Sequence, residues 1–435
     1  MLTFRWLIAP NELPSLRNFV RDTIAAADAR HRDYRRRTAW RHPYGHTGRG
    51  SMSGIRIERI DTPAALQDIK SAWTDCERAD GYATVFQSWT WNSIWCEQVL
   101  AAEKRARIAV RLARDGAGRI LAIFPFFEQP LAASAIQLTR FIGHRMLSDG
   151  GILLAEPGNG ELTARVVAAV LKDLGSRTVL HLSHLNGAAP FTRCLLASGL
   201  AQAQCPRLSI ATDGTDIDPA ARLGSKMRKN LRSIRNRMQR EFKTEFRAVS
   251  GADYCSAFDE FVDLHQRRFA AKHKSSSLTG RNLAFLKAAT SQLSDTGQFE
   301  ILQLRADGKT IAAQLMARDK QRYSAIQGGF APEYSRFSPT LLLDLEGMRR
   351  GFHDLGCTTY DLGAGYEAYK YHWKPNVGTD YFCCCGAPNL YARSLAALYR
   401  MALKRALPPL PKDLAWDPSD DAKAQHPGSP AKIAP

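Results

Sequence analysis

No uninterrupted apolar run in the 435 residues approaches the roughly 18–20 that a membrane-spanning helix needs. The opening MLTFRWLIAPNELP has Arg5 and a short apolar patch, then Pro10, Asn11 and Glu12 without a small-residue cleavage site. No secretory signal is expected there. Cysteine is sparse and unpatterned: nine, an odd number, with no CxxC pair. Neither a disulfide framework nor a zinc site is expected, but reduced thiols, no metal and a cytoplasmic location are. In the triplet Cys383-Cys384-Cys385 a strand would put the outer two on one face and the middle one on the other, poor geometry for a four-ligand site. Acidic residues are in deficit, 42 against 60 Lys and Arg, for a net charge of +18. That excess is local. Residues 1–51 hold ten Arg, no Lys and four acids, and Arg222–Lys243 holds nine basic residues against Glu241 alone. A chain uniformly suited to coating nucleic acid is thereby excluded; one basic leader and one basic helix remain.

Apolar residues at 45% and charged residues at 23% describe a globular chain of two or three domains. Residues 1–53 lack apolar periodicity and read as a disordered basic leader, or as an extension from an early-assigned start, because Met52 directly precedes the first strand. From Ile55 to Ile210 strands and helices alternate. A strand Ile55–Ile60 leads to helices over Pro63–Arg78 and Phe86–Leu100. Two strands then join at Asp115-Gly116, and strands follow at Ile136–Ile142 and Ile152–Ala155. The helix Glu161–Leu174, the strand Val179–Leu185, the helix Thr192–Ser198 and the strand Gln202–Ile210 complete this half. A basic helix over Ala221–Lys243 opens the second half, followed by the strand Thr244–Val249 and helices Ala252–Ala271 and Arg281–Leu293. Strands follow at Phe299–Arg305, Thr310–Arg318 and Tyr323–Gln327, then a helix Pro339–Phe352 and strands Thr358–Leu362 and Asp380–Cys385. A last helix covers Asn389–Leu407, and residues 408–435, with seven prolines, read as a disordered tail. Both halves share one rhythm of helices, strand meander, helix and lone strand. The fold class expected is α/β or α+β, a tandem pair over residues 54–210 and 211–407.

Three stretches carry polar chemistry. In Gln327-Gly328-Gly329-Phe330 a strand ends in a glycine pair, and after a loop holding Arg336 a helix starts with Ser338 as N-cap and Pro339 in its first turn. Such a helix start offers unpaired N–H groups to an anion, although an ordinary capped turn would read the same. Next, YDLGAGYEAYKYHW packs Asp361, Glu367, Tyr366, Tyr369, Lys370 and Trp373 beyond a strand end, a plausible pocket or a solvated aromatic loop. Third, Met227, Leu231, Ile234 and Met238 give the basic helix one apolar face, leaving Lys226, Arg228 and their neighbours for an anionic ligand. His265 and Arg268, three apart in FVDLHQRRF, share a helix face.

In order, SKMRKNLRSIRNRMQR, LHQRRF, GKTIAAQLMA, YSRFSPTLLLDLEGM and YDLGAGYEAYKYHW resemble the CelD-like branch of the GNAT N-acetyltransferase superfamily. FQSWTWNSIW, IFPFF and FIGHRMLSDGGILL extend the resemblance to about Ile55–Gly386. That branch is linked to cellulose and exopolysaccharide gene sets and is close in architecture to the FemAB aminoacyl transferases. The resemblance implies tandem GNAT-like folds, each a mixed, mostly antiparallel twisted sheet flanked by helices, with acyl transfer in the second. It implies acetyl-CoA or another acyl-CoA as donor, its pyrophosphate on the loop Ala331–Phe337 and the Ser338-Pro339 helix start, beside Gln327, Gly328, Gly329 and Arg336. Glu333, Tyr334 and Arg336 depart from the usual glycine-rich loop. Asp361, Glu367, Tyr369 and Lys370 match the family's YD…E.YK pattern. Asp361 or Glu367 is then the expected base, with His265 behind them and Tyr369 or Tyr366 as proton donor. Lys226, Arg228, Arg268, Tyr366, Lys370 and Trp373 are expected to bind substrate, an amine or hydroxyl. The rival readings are a FemAB-type transferase using aminoacyl-tRNA, and a non-enzymatic polysaccharide-assembly accessory. Nucleic acid is not the expected partner.

Overall fold

A computed structural model describes residues 54–130, 136–144, 146–212, 218–365, 367–387 and 390–406. The leader, the proline-rich tail and Tyr366 lie outside them. Fifteen strands are described: β1 Arg56–Ile60, β2 Arg107–Ile108, β3 Val110–Arg114, β4 Ile120–Phe124, β5 Phe126–Pro130, β6 Gln137–Phe141, β7 Leu153–Leu154, β8 Thr178–Asn186, β9 Ala201–Ala211, β10 Thr244–Val249, β11 Phe299–Ala306, β12 Lys309–Asp319, β13 Arg322–Phe330, β14 Thr359–Ala364 and β15 Asn376–Gly386. The α-helices are α1 Pro63–Asp68, α2 Lys70–Ala79, α3 Trp89–Gln98, α4 Gly160–Asp173, α5 Pro190–Ala197, α6 Ser225–Glu241, α7 Tyr254–Ala270, α8 Gly280–Ser294, α9 Pro339–Arg349, α10 Ala368–Tyr371 and α11 Leu390–Ala406.

Local chemistry explains where several elements depart from expectation. The helix expected over Phe86–Leu100 starts late because the Ser88 side chain accepts from the Trp91 N–H, capping α3, while Val85–Gln87 forms a separate 3-10 turn. The hairpin expected from two strands becomes four. Its arms break at Ala109 and at Pro125, which has no N–H for a ladder, so β3 and β4 enter a four-stranded sheet and β2 and β5 a larger one.

The larger sheet has eleven strands in the order β10-β11-β12-β13-β14-β9-β15-β8-β6-β5-β2. Each half contributes a meander whose last member pairs in parallel with a later strand, β6 with β8 and β13 with β14. The fold is thus the expected tandem of mixed, mostly antiparallel units. The closing strands are exchanged, however. β9, from the first half, lies against β14 of the second, and β15, from the second, lies against β8 of the first. β9 and β15 pair with each other at the seam. Apolar packing crosses the halves as well: Trp91 meets Phe285 edge-on at 4.8 Å and stacks on Phe299 at 6.2 Å.

Candidate active site

β13 and β14 pair only at Arg322↔Thr359, Tyr323↔Tyr360 and Ser324↔Asp361. Beyond that point β13 continues to Phe330 against β12, and β14 continues to Ala364 against β9. The two strands therefore fork. A bulge sharpens the divergence: Leu315 faces Gln327 but Met316 faces Ala325, leaving Ile326 as the extra residue on β13. The inner edges of the fork carry backbone groups without ladder partners, the natural seat for an extended ligand. Gly329 is required here by packing. A Cβ on it would lie 2.3 Å from the His265 nitrogen, because the α7 backbone rests directly on β13.

The closed end of the fork is an ionic seam that joins the two halves. Arg207 of β9 is buried and donates from Nε and Nη2 to Asp380 at 2.7 and 3.1 Å and from Nη1 to Asp361 at 2.6 Å. Arg322 donates to Asp149 at 3.1 Å and to Asp319 at 3.4 Å, and its Nη1 lies 3.5 Å from Asp361. Burial pushes the Asp361 carboxyl up, but Arg207 and Arg322 more than offset it and hold it below the usual carboxylate range. Asp361, an expected base, is thus placed in this seam, fully paired, where it locks the fork's apex. The burial of Asp319 outweighs its Arg322 contact and raises it to about 6.

At the open end a different set gathers. Arg268 of α7 donates to the Gly328 carbonyl at 3.0 Å and lies over the Phe330 ring at 4.8 Å. Lys370 of α10 is 5% exposed. Its Nζ donates to the Ala364 carbonyl at 3.0 Å and pairs with Glu367 at 3.1 Å. Asp344 of α9 is 1% exposed. Its Oδ1 accepts from Gln314 Nε2 at 3.2 Å, while Oδ2 has no hydrogen-bond partner. Because a carboxylate only accepts, this bond also fixes the Gln314 amide, whose Oε1 is likewise unpartnered, as is the Tyr360 hydroxyl. Burial raises Asp344 to about 6 against the opposing pull of Gln314, Lys370 and Arg268. Tyr369 is pushed up by burial and then by Asp344 and Glu367, so its phenol keeps its proton. Arg268, Lys370, Glu367, Tyr369 and Asp344 thus act on one another across the fork's mouth. Four of these five are among the residues expected at a site from the sequence; Asp344 is not.

The other expected residues divide. His265 is buried, its Nδ1 3.1 Å from Ser276 Oγ and its ring stacked on Phe269 at 4.4 Å. Burial and then Arg268 lower it to about 4, so it is neutral near pH 7. Trp373 is fully buried in the apolar cluster beside α9. Ser338 does not cap α9 through its side chain; it takes a left-handed conformation, φ 45° and ψ 54°, after a 3-10 turn over Pro332–Phe337. Pro339 opens α9, leaving the Thr340 N–H without an intrahelical partner. Arg336 pairs with Glu241 and lies over Phe337, and Arg237 donates to its carbonyl at 2.7 Å. That end of α6 is therefore fastened to the loop. Lys226 and Arg228 are not at that end: Arg228 lies nine residues before Arg237, about 14 Å along the axis. Arg228 donates to the Ala221 and Leu223 carbonyls, and Lys226 is exposed. The outer face of α6 carries Lys229, Arg232, Ser233, Asn236, Gln239 and Arg240, opposite its buried Leu231, Ile234 and Met238. No helix among the described residues is long and apolar enough to cross a membrane, and they contain no group of three or more metal-ligating side chains.

Residues 225–371, from the start of α6 to the end of α10, match the family of acetyltransferase (GNAT) domains. The matched segment contains both arms of the fork and the residues at its mouth. Among solved structures, FemX superposes with a TM-score of 0.52 at 10% identity, covering 75% of this chain and 96% of that one. L-PGS from Bacillus licheniformis gives 0.44 at 11% identity, over 78% and 96%. A tandem GNAT protein from the clavulanic acid biosynthesis pathway gives 0.39 at 12%, over 75% and 98%. No curated protein matches the chain. The family match is thus confined to the segment that forms the β13/β14 fork, and the fold as a whole is similar to that of FemX.

Proposed function

We propose that the protein transfers an acyl group, acetyl in the simplest case, from acyl-CoA to an amine or hydroxyl acceptor, with the donor laid in the β13/β14 fork. The observation that carries this reading is a buried carboxylate with an unpartnered oxygen, Asp344, facing a cationic mouth formed by Lys370 and Arg268. The residues fit the donor. Thr340 offers a free N–H at the start of α9, and Arg336, four residues earlier on the loop, has a side chain 58% exposed, a setting for a diphosphate made by charge instead of a glycine nest. Bound acyl-CoA supplies an electrophilic carbonyl and a thiolate leaving group.

The chain's own groups do the rest. Asp344, with a carboxyl raised to about 6, takes the proton of the attacking nucleophile near neutral pH. Glu367, held by Lys370, positions that ammonium. Lys370 and Arg268 provide positive charge where negative charge develops on the acyl oxygen. Tyr369 keeps its proton for the departing sulfur. The family resemblance favours an acceptor in cellulose or exopolysaccharide synthesis. The cations on the outer face of α6 favour an anionic ligand there, and they support a second reading with aminoacyl-tRNA as donor.

Lys370→Met tests the mouth. Acetyl-CoA-dependent thiol release should fall about 10²–10³-fold, the scale for losing one oxyanion donor. Release at the wild-type rate would remove Lys370 from the chemistry.

A further inference from the structure

The first half has a fork of its own. β6 and β8 pair in parallel at Gln137↔Thr178, Leu138↔Val179 and Thr139↔Leu180. Arg140 and His181 are the next residues on the two arms. They lie on the face that carries Leu138 and Val179, since alternate strand residues share a face. α11 covers this face, packing Ala396 and Tyr399 against Leu138, Val179 and Cys384. Arg140 Nη2 donates to the Tyr399 hydroxyl at 2.8 Å, and His181 Nδ1 lies 3.4 Å from the same oxygen. The His144 ring meets His181 edge-on at 5.4 Å.

Charge sets this place apart. The buried Arg111 holds Glu128 at 2.7 Å and Asp173 at 3.0 Å, and the buried Arg207 holds three aspartates. Arg140 is 5% exposed, yet among the described residues no carboxylate lies within ion-pair distance of it, and its Nε has no partner. Arg400 repeats the pattern. Its Nη2 donates to the Cys384 carbonyl at 2.9 Å, its Nε is unpartnered, and it too has no described carboxylate. Arg400 is held on the Cys384 carbonyl and Arg140 on the hydroxyl of Tyr399, which packs in the same cluster as Cys384. Burial, then Arg140, holds His181 down to about 3, so it adds no third cation but keeps a ring nitrogen for hydrogen bonding. A buried charge without a counter-charge is strongly unfavourable, and the half-buried Arg400 beside Arg140 adds to that cost.

We propose that this fork is an oxyanion site, in which Arg140, Arg400 and the Tyr399 hydroxyl hold a phosphate or carboxylate group of a small ligand beneath α11. Its occupant neutralises the two guanidiniums and ties the last helix to the first half. The site is separate from the transfer fork and does not depend on the reading given for it.

Titration of the full chain with inorganic phosphate and, separately, with acetate, followed by calorimetry, tests it. Saturable binding of at least one anion is expected, weakened tenfold or more by Arg140→Gln and unchanged by Arg281→Gln on the exposed start of α8. Binding of phosphate alone would identify a phosphorylated ligand, and of acetate alone a carboxylic acid. No saturable binding, equal binding by wild type and Arg140→Gln, or loss in Arg281→Gln instead would overturn the proposal. Should Arg140→Gln not fold, Tyr399→Phe decides: threefold or greater weakening supports the site, and unchanged affinity overturns it.

Discussion

Asp344→Asn is expected to make the protein more stable at pH 8 while abolishing transfer. The sign follows from burial. An aspartate that ionises near 3.8 when exposed and near 6 when folded binds its proton more tightly in the native state, so its charged form opposes folding at high pH. The penalty is fully present above about pH 6, shrinks as pH falls, and is gone below about 4. A shift of that size corresponds to about 3 kcal/mol at pH 8 as an upper figure. Asn keeps the acceptor for Gln314 and removes the charge. Urea unfolding at pH 8 should therefore show a gain of about 1–3 kcal/mol that vanishes near pH 4, and thiol release should fall about 10²–10⁴-fold. A loss of stability at pH 8 would mean that Asp344 is a satisfied structural group, and retained activity would exclude it as the base.

Arg207→Met should have the opposite character. Removing this guanidinium leaves Asp149, Asp361 and Asp380 buried, with Arg322 and His184 the other cationic partners among the described residues. Breaking a buried pair by deleting one partner costs roughly 3–5 kcal/mol, and here one side chain serves three carboxylates. Urea unfolding should show at least that loss, and lowering the pH to 5 should recover part of it as the orphaned aspartates take protons. A variant as stable as wild type would show that the seam does not hold the exchanged strands together.

These two residues also mark where sequence reasoning ended. The meander β11–β13 was legible because alternating apolar residues and Asp307-Gly308 announce a hairpin, and the basic helix was legible from Leu231, Ile234 and Met238. The exchange of β9 and β15 was not. Arg207 sits in the unremarkable Cys205-Pro206-Arg207-Leu208, and its partners Asp361 and Asp380 lie 154 and 173 residues away. Nothing local distinguishes a strand closing its own unit from one closing its neighbour's. Asp344 did leave a signal, a lone acid inside Leu341-Leu342-Leu343-Asp344-Leu345. A charge within an apolar helical run must be buried and served by something. Asp361 misled for the converse reason: its place beside Gly363 and Glu367 suggested chemistry, whereas its burial beside two arginines makes it a clamp.

Hydrogen–deuterium exchange with and without saturating acetyl-CoA tests the donor's position most directly. Slower exchange confined to the amides of Gln327–Phe330 and Thr340–Leu342 is expected, the inner edge of one arm and the opening turn of α9. Protection limited to the outer face of α6, or none at all, would contradict an acyl-CoA laid between β13 and β14.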